Sequence, residues 1–198
     1  MTSHDALQVL KGKYGFGKLG HTGTLDPLAC GLLGVLKDEN TKLQTDLVKD
    51  RKTYRGIISL GVETDSLDSL GIPLRVSPVP NQIDLESVKN HLLSQKQYFP
   101  PLKSAVKVKG KRAYSGKVDP RDLQSRPLTF YSLELKQIDQ YNISIFTEVE
   151  SGTYVRSLAQ MVGNFLLCGA HLKQLIRTKI HGFEYEGNIF EDLKILNF

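Results

Sequence analysis

The chain has 198 residues, enough for one hydrophobic core or for two small lobes that share a sheet, and too few for a third domain. Its 40% content of hydrophobic residues is that of a globular protein and excludes a disordered tail. The 26 Lys and Arg residues outnumber the 21 Asp and Glu residues, and the resulting net charge of +5 favours a polyanionic partner without requiring one.

The first half of the chain predicts a short helix, a loop and a strand. Leu7 and Leu10 share one face of a helix over residues 3–13, and nearby glycines end it. Residues 53–60 are typical of a β-strand, and residues 61–82 carry turn-forming residues.

The second half predicts two more helices and a pair of strands. Residues 84–93 place apolar side chains on one helical face behind an N-capping Asp84. Residues 129–136 and 143–149 alternate apolar and polar side chains, which indicates two neighbouring strands. An apolar stripe after Arg156 predicts a last helix. Strands and helices mixed without regular alternation predict an α+β fold with a mostly antiparallel sheet.

The two cysteines and the N-terminus disfavour several classes of protein. Cys30 and Cys168 cannot form a disulfide framework and lack the partner spacing of a zinc site, so we expect buried, reduced thiols, no metal and no cofactor. The N-terminus has no basic segment followed by an apolar run, and no stretch reaches the about 18 apolar residues of a membrane span. We therefore expect a cytoplasmic protein without a membrane partner, or one of an organellar matrix.

A basic stretch between residues 103 and 117 includes Lys107, Lys111, Tyr114 and Lys117. Such a stretch is either a solvated face or a strip that contacts nucleic-acid phosphates, whose contribution to binding would fall steeply with salt.

The run from Gly20 to Gly31, GHTGTLDPLACG, sets a single carboxylate, Asp26, among three glycines, a proline and a histidine. Glycines let a ligand approach the backbone closely, and Pro27 stiffens the segment after the acid. The same residue types also form ordinary surface turns. Asp26 is nevertheless the first candidate for a catalytic group.

As an ordered string this run resembles the catalytic motif of the TruB-type tRNA pseudouridine synthases, GHTGxLDPxAxG, at every fixed position. Further segments follow in the order that family has them: Lys52-Thr53-Tyr54-Arg55, Thr64-Asp65-Ser66-Leu67-Asp68 and Gly152-Thr153-Tyr154-Val155-Arg156-Ser157. The resemblance covers nearly the whole chain.

The resemblance implies the pseudouridine synthase fold, a bent mixed sheet flanked by helices around a central RNA-binding cleft. Residues 1–198 would form one catalytic domain, or two lobes sharing one sheet, without a separate C-terminal PUA-like domain. The Lys-Pro motif strand with which members begin is missing before Ser3, which predicts a less firmly held Asp26 loop.

The resemblance also implies the chemistry. Asp26, Tyr54 and Arg156 match the family's catalytic residues. The planar fork of an arginine suits a carboxylate through two bonds, and a tyrosine ring can stack on a flipped uracil. The implied contacts to RNA or substrate are His21, which fills the space the uridine leaves, and Thr22, Gly23, Asp68, Tyr154, Lys107 and Lys111.

Leu28-Ala29 after the Asp-Pro pair is similar to the stand-alone branch of the family, which implies a uridine in the T-loop of tRNA as substrate. We expect a monomer that needs no guide RNA and no obligatory protein partner. Two alternatives stay open. One is a non-catalytic tRNA-binding or folding module of the same fold. The other is a carboxylate-dependent nucleoside or glycoside hydrolase that uses Asp26 with Asp65 and Asp68.

Overall fold

The structure is a computed structural model, and it describes residues 1–113 and 118–185. The α-helices in these ranges are α1 Ser3–Tyr14, α2 Gln44–Leu47, α3 Leu85–Ser94 and α4 Val155–Phe165. Short 3-10 helices cover Asp38–Leu43 and Pro120–Asp122. The strands are β1 Leu19–His21, β2 Ala29–Gly31, β3 Val35–Lys37, β4 Lys52–Leu60, β5 Val62–Thr64, β6 Pro73–Val76, β7 Gln97–Tyr98, β8 Lys107–Val108, β9 Lys111–Arg112, β10 Arg126–Pro127, β11 Phe130–Gln137, β12 Asn142–Val149, β13 Ala170–Ile180 and β14 Phe183–Glu184.

A six-stranded mixed sheet organises the chain. Its strand order is β11, β12, β4, β13 and β14, and β2 lies parallel to β13 on the edge that β14 continues. The other pairs are antiparallel. The prediction of an α+β fold with a mixed, mostly antiparallel sheet is confirmed.

Helices α1 and α3 begin and end within one residue of the predicted bounds, α4 begins at Val155, just before the predicted apolar stripe, and α2 was not predicted. Thr2 and Asp5 form a capping box at the start of α1, and Gly15 ends it with a φ of 64°. Asp84 accepts hydrogen bonds from the backbone amides of Glu86 and Ser87 and so caps α3.

The hydrophobic core lies between one face of the sheet and the helices α3 and α4. Side chains from three strands and both helices are completely buried there: Ile58, Val88, Leu92, Ile143, Val149, Leu158, Val162 and Leu172. Strands β11 and β12 pair antiparallel, as their alternating patterns predict.

Two details differ from the expectation. The segment expected as turns contains a short hairpin, β5 with β6, because Val62–Thr64 pairs with Pro73–Val76. Cys168 is buried as expected, but Cys30 is only half-buried at the edge strand β2; both are free thiols.

No helix in residues 1–113 and 118–185 is both long and apolar enough to span a membrane. Within the same residues, no group of three or more His, Cys, Asp or Glu side chains is placed to hold a metal ion.

Candidate active site

Asp26 lies in the loop between β1 and β2, and this loop is attached to the rest of the molecule at several points. The amide of Ala29 donates to the Asp26 carbonyl at 2.8 Å, which closes a turn around Pro27. Ser3, at the start of α1, accepts a hydrogen bond at 2.8 Å from the amide of Leu25. The first helix therefore positions the residue directly before Asp26.

Arg156 holds the carboxylate of Asp26 through two parallel hydrogen bonds, from Nε to Oδ2 at 2.8 Å and from Nη2 to Oδ1 at 2.9 Å. The guanidinium is buried, in the first turn of α4, whereas the Asp26 side chain keeps 24% of its surface exposed. This bidentate geometry fixes the direction in which the carboxylate points.

Asp68 is a second carboxylate behind this pair. Its Oδ2 lies 3.5 Å from Nη1 of Arg156, and its Oδ1 accepts hydrogen bonds from the Ser66 hydroxyl at 2.6 Å and the Leu70 amide at 3.0 Å. Nη1 of Arg156 also donates to the carbonyl of Ser66 at 2.8 Å. The loop after β5 thus holds the guanidinium of Arg156 in the position from which it binds Asp26.

A cavity of about 260 Å³ opens beside Asp26. Its walls come from the Asp26 loop, β4, β13 and the turn before α4, and they include Asp26, Tyr54, Tyr154, Leu175 and Arg177. Burial raises the pKa of both tyrosine hydroxyls, so they stay protonated at neutral pH. The cavity combines one oriented carboxylate with flat and apolar side chains.

Two cations of the cavity wall were missed as site residues by sequence reasoning. Arg177 is 1% exposed and donates to the carbonyls of Leu32 at 2.7 Å and Gly23 at 3.1 Å, so it joins both ends of the Asp26 loop. Lys52 is 4% exposed and lies on the same face of β4 as Tyr54. The sequence does carry a signal for both residues. Each is a charged residue in a strand that is otherwise mostly buried, and a charged side chain is rarely buried without a specific role.

The three predicted RNA contacts of the GHTG run have different surroundings. His21 is half-buried on β1, outside the cavity wall, and burial together with nearby Arg177 lowers the pKa of its ring. Gly23 lines the cavity with a φ of 142°. Thr22 is only 1% exposed and its hydroxyl bonds His181 at 2.7 Å, so its side chain offers no surface to RNA and instead supports the loop.

His181 extends that support, because its other ring nitrogen lies 2.7 Å from the carboxylate of Asp50. The residue that follows β13 thereby joins the Asp26 loop to the segment before β4.

The basic stretch is described only in part. Lys107 and Lys111 lie on the paired strands β8 and β9, and their side chains are not among those described. Tyr114 and Lys117 lie outside the described residues.

The sequence pattern of the TruB family pseudouridylate synthase N-terminal domain matches residues 11–155. The chain is 38% identical over 192 residues to tRNA pseudouridine synthase B of Clostridium novyi, and it covers 66% of that protein. It is 39% identical over 183 residues to the enzyme of the same name from Tolumonas auensis, covering 56% of it, and 36% identical over 200 residues to that of Caldanaerobacter subterraneus, covering 70%. The chain therefore spans between 56% and 70% of the length of these relatives.

Solved structures agree. A chain in the crystal structure of a Cbf5-Nop10-Gar1 complex superposes with a TM-score of 0.68 at 26% identity, over 94% of this chain and 47% of that one. A chain of an H/ACA RNP bound to a substrate RNA superposes with a TM-score of 0.63 at 22% identity, over 94% of this chain and 46% of that one. Because the family pattern covers most of its length, the chain belongs to the TruB family of pseudouridylate synthases and has the fold of that group.

Proposed function

We propose that this chain is a tRNA pseudouridine synthase, which converts a uridine to pseudouridine without a cofactor. The observation that carries the proposal is the bidentate pair of Asp26 and Arg156 at the wall of a cavity that Tyr54 also lines. A carboxylate held in one direction beside a flat apolar wall is what the cleavage and rejoining of a glycosidic bond require.

In this proposal Asp26 acts on the ribose or the base, and Arg156 orients it. Tyr54 and Leu175 contact the detached uracil, since stacking on an aromatic ring contributes about 1–3 kcal/mol per base. Tyr154 lies at the start of α4 with its ring centroid 5.7 Å from the guanidinium of Arg156, and it completes the wall.

A base within a folded tRNA arm has to leave its stack before it can reach such a cavity. We assign His21 and Gly23 to the RNA that surrounds the flipped nucleotide, and Lys107 and Lys111 to its phosphates. Asp68 acts through Arg156, and Thr22 acts through the loop.

The finer predictions rest on the sequence and its family resemblance rather than on the geometry. They are a uridine of the T-loop as substrate, action without guide RNA or protein partner, a monomeric state, a cytoplasmic location and a single catalytic domain over residues 1–198. Each stays a prediction.

The test is release of tritium from tRNA that carries [5-³H]uridine, because a new bond at C5 displaces the hydrogen there. Wild type is expected to release tritium, and Asp26→Ala is expected to release none while it still binds tRNA. Chromatography of the nucleosides identifies the product as pseudouridine.

The alternatives predict other outcomes. Bound tRNA without release at saturating wild-type protein would support a non-catalytic RNA-binding module. Free uracil, or activity abolished by EDTA, would support a hydrolase.

A further inference from the structure

Two buried cations at the cavity wall, Lys52 and Arg177, are not paired with any carboxylate. Among residues 1–113 and 118–185, no carboxylate oxygen lies within 4.0 Å of either charged group. Their hydrogen bonds go to uncharged oxygens. Buried cations are normally paired, because removing a charge from water is costly.

The ammonium of Lys52 is held in one place. It donates to the carbonyls of Val48 at 2.9 Å and Asp50 at 2.6 Å and to the hydroxyl of Ser151 at 3.1 Å. These three bonds use all of its donors. Lys52 therefore affects the cavity as a fixed charge rather than as a donor to a ligand.

Both cations lie beneath the Asp26 loop. Arg177 is directly opposite Tyr54 across the β4–β13 pair, and its positive charge opposes the rise that burial causes in the pKa of the Tyr54 hydroxyl. A Cβ placed on Gly23 would lie 3.4 Å from Cε of Lys52 and 3.6 Å from Nη1 of Arg177. The two charges are therefore neighbours beside the ring that would contact the base.

The charges of the site do not balance. Among the described residues, the cavity lining includes two cations, Lys52 and Arg177, and one carboxylate, that of Asp26, which Arg156 already pairs. Asp50 and Glu150 act on Lys52 from outside this lining. A charge arranged in advance is most effective where the opposite charge develops during a reaction.

Resting on the proposed function, we propose that Lys52, together with Arg177, stabilises the negative charge that the uracil base carries once it has separated from C1′. In that step the C1′–N1 bond breaks and its electron pair stays with the base. After the base turns, C5 bonds to C1′, the proton at C5 leaves and N1 takes up a proton. The overall change is an isomerisation and needs no further reactant.

The protonation of Lys52 then limits the reaction at high pH. Burial, reinforced by Arg177, lowers the pKa of Lys52 to about 8, although Asp50 and Glu150 oppose the shift. The charge is present at pH 7 and is lost as the pH rises above about 8. Tyr54 cannot cause a decline in that range because burial raises its pKa above 10.

The test compares Lys52→Met with Lys49→Met in single-turnover reactions at saturating enzyme, followed by chromatography of the nucleosides. Lys49 is a matched control because its side chain is 71% exposed. We expect Lys52→Met to be about 10- to 100-fold slower with tRNA affinity changed less than about threefold, and Lys49→Met to match wild type. With 5-fluorouridine at the target position, fluorine cannot leave C5 as the proton does, so the reaction is followed by the disappearance of 5-fluorouridine. The loss in this rate should be several-fold smaller than with uridine, because fluorine stabilises the base anion.

An equal loss with uridine and 5-fluorouridine, or no loss at all, would overturn the proposal while wild-type activity and its dependence on Asp26 stand. If wild type makes no pseudouridine, the proposed function itself fails. If Lys52→Met does not fold, Lys52→Arg replaces it in the test. The arginine stays charged at high pH, so the decline in the reaction rate above pH 8 should disappear. A decline that persists unchanged in Lys52→Arg would overturn the proposal as well.

Discussion

Arg156 illustrates how one side chain can join several parts of a site. Its guanidinium contacts Asp26, Asp68, and the carbonyls of Ser66 and Lys103, so the loop before β2, the loop after β5 and the segment before β8 all meet at one group. The sequence could indicate that Asp26 and Arg156 belong together only through the family resemblance, because 130 residues separate them. Their burial and their bidentate geometry required the structure.

Arg156→Lys is expected to reduce pseudouridine formation by about 100-fold, because an ammonium cannot donate two parallel bonds to Asp26 and also reach Ser66. The single-turnover rate measures this loss. Arg121→Lys is the matched control, since Arg121 also forms a bidentate pair, with Asp119, but its side chain is 89% exposed. The interpretation fails if both variants keep the wild-type rate.

Lys52 predicts a pH dependence of stability. Its pKa is about 8 in the folded protein against 10.5 for the ordinary group, so the unfolded chain binds more protons between these pH values. The contribution of Lys52 to the free energy of unfolding therefore rises with pH across this window, by up to about 3 kcal/mol. Below pH 8, Lys52 is charged in the folded protein, and the cost of burying that charge applies in full. Urea unfolding of wild type and Lys52→Met should show their difference changing by that amount between pH 7.5 and 10.5. A difference between the two proteins that stays constant over this pH range would contradict the prediction.

At the scale of elements, local patterns predicted much of the fold. The apolar stripe of α4, the alternation in β11 and β12 and the N-cap of α3 each depend on residues within one turn or one strand. The pairing of β13 with both β4 and β2 could not be found in the same way. It joins residues 29–31 with 175–177, and only the packing of the whole sheet decides that register.

The packing of α4 on β13 depends on a glycine. A Cβ on Gly163 would lie 2.3 Å from the amide nitrogen of Ala170, which is backbone and cannot move aside. Gly163→Ala is therefore expected to lower the free energy of unfolding by about 1–3 kcal/mol, although alanine favours helices. Gly12→Ala is the control, because nothing lies within 4 Å of its Cβ on α1, and it should gain up to about 1 kcal/mol. Denaturant unfolding of both variants distinguishes steric conflict from helix propensity.

At the scale of the whole molecule, the net charge of +5 does not by itself indicate which surface would bind RNA. That depends on where the basic residues lie. Lys107 and Lys111 lie on a hairpin, whereas Lys136 lies on β11 with the opposite orientation to the core residues Leu133 and Leu135. One face of the sheet is therefore covered by α3 and α4 and carries the cavity, whereas Lys136 is oriented toward the opposite face.

Lys107→Ala and Lys111→Ala are each expected to reduce the slope of log affinity against log salt by about 1, because each removes one phosphate contact. Filter binding of tRNA at several salt concentrations measures the slope. Lys136→Ala should leave it unchanged. The assignment of the strip is wrong if all three variants behave alike.

The attachment of the Asp26 loop to β13 also has a consequence for biosynthesis. Arg177 bonds Gly23 across 154 residues, and His181 bonds Thr22 across 159. The ribosome makes the N-terminal part first, so the loop emerges long before the strand that holds it. A nascent chain that has reached α4 can already contain Asp26 and Arg156 but still lacks Arg177, which lies on β13, and His181, which follows it. Under the proposed function, a nascent chain that ends before Arg177 and His181 is therefore expected not to modify RNA, although its Asp26 and Arg156 are already present.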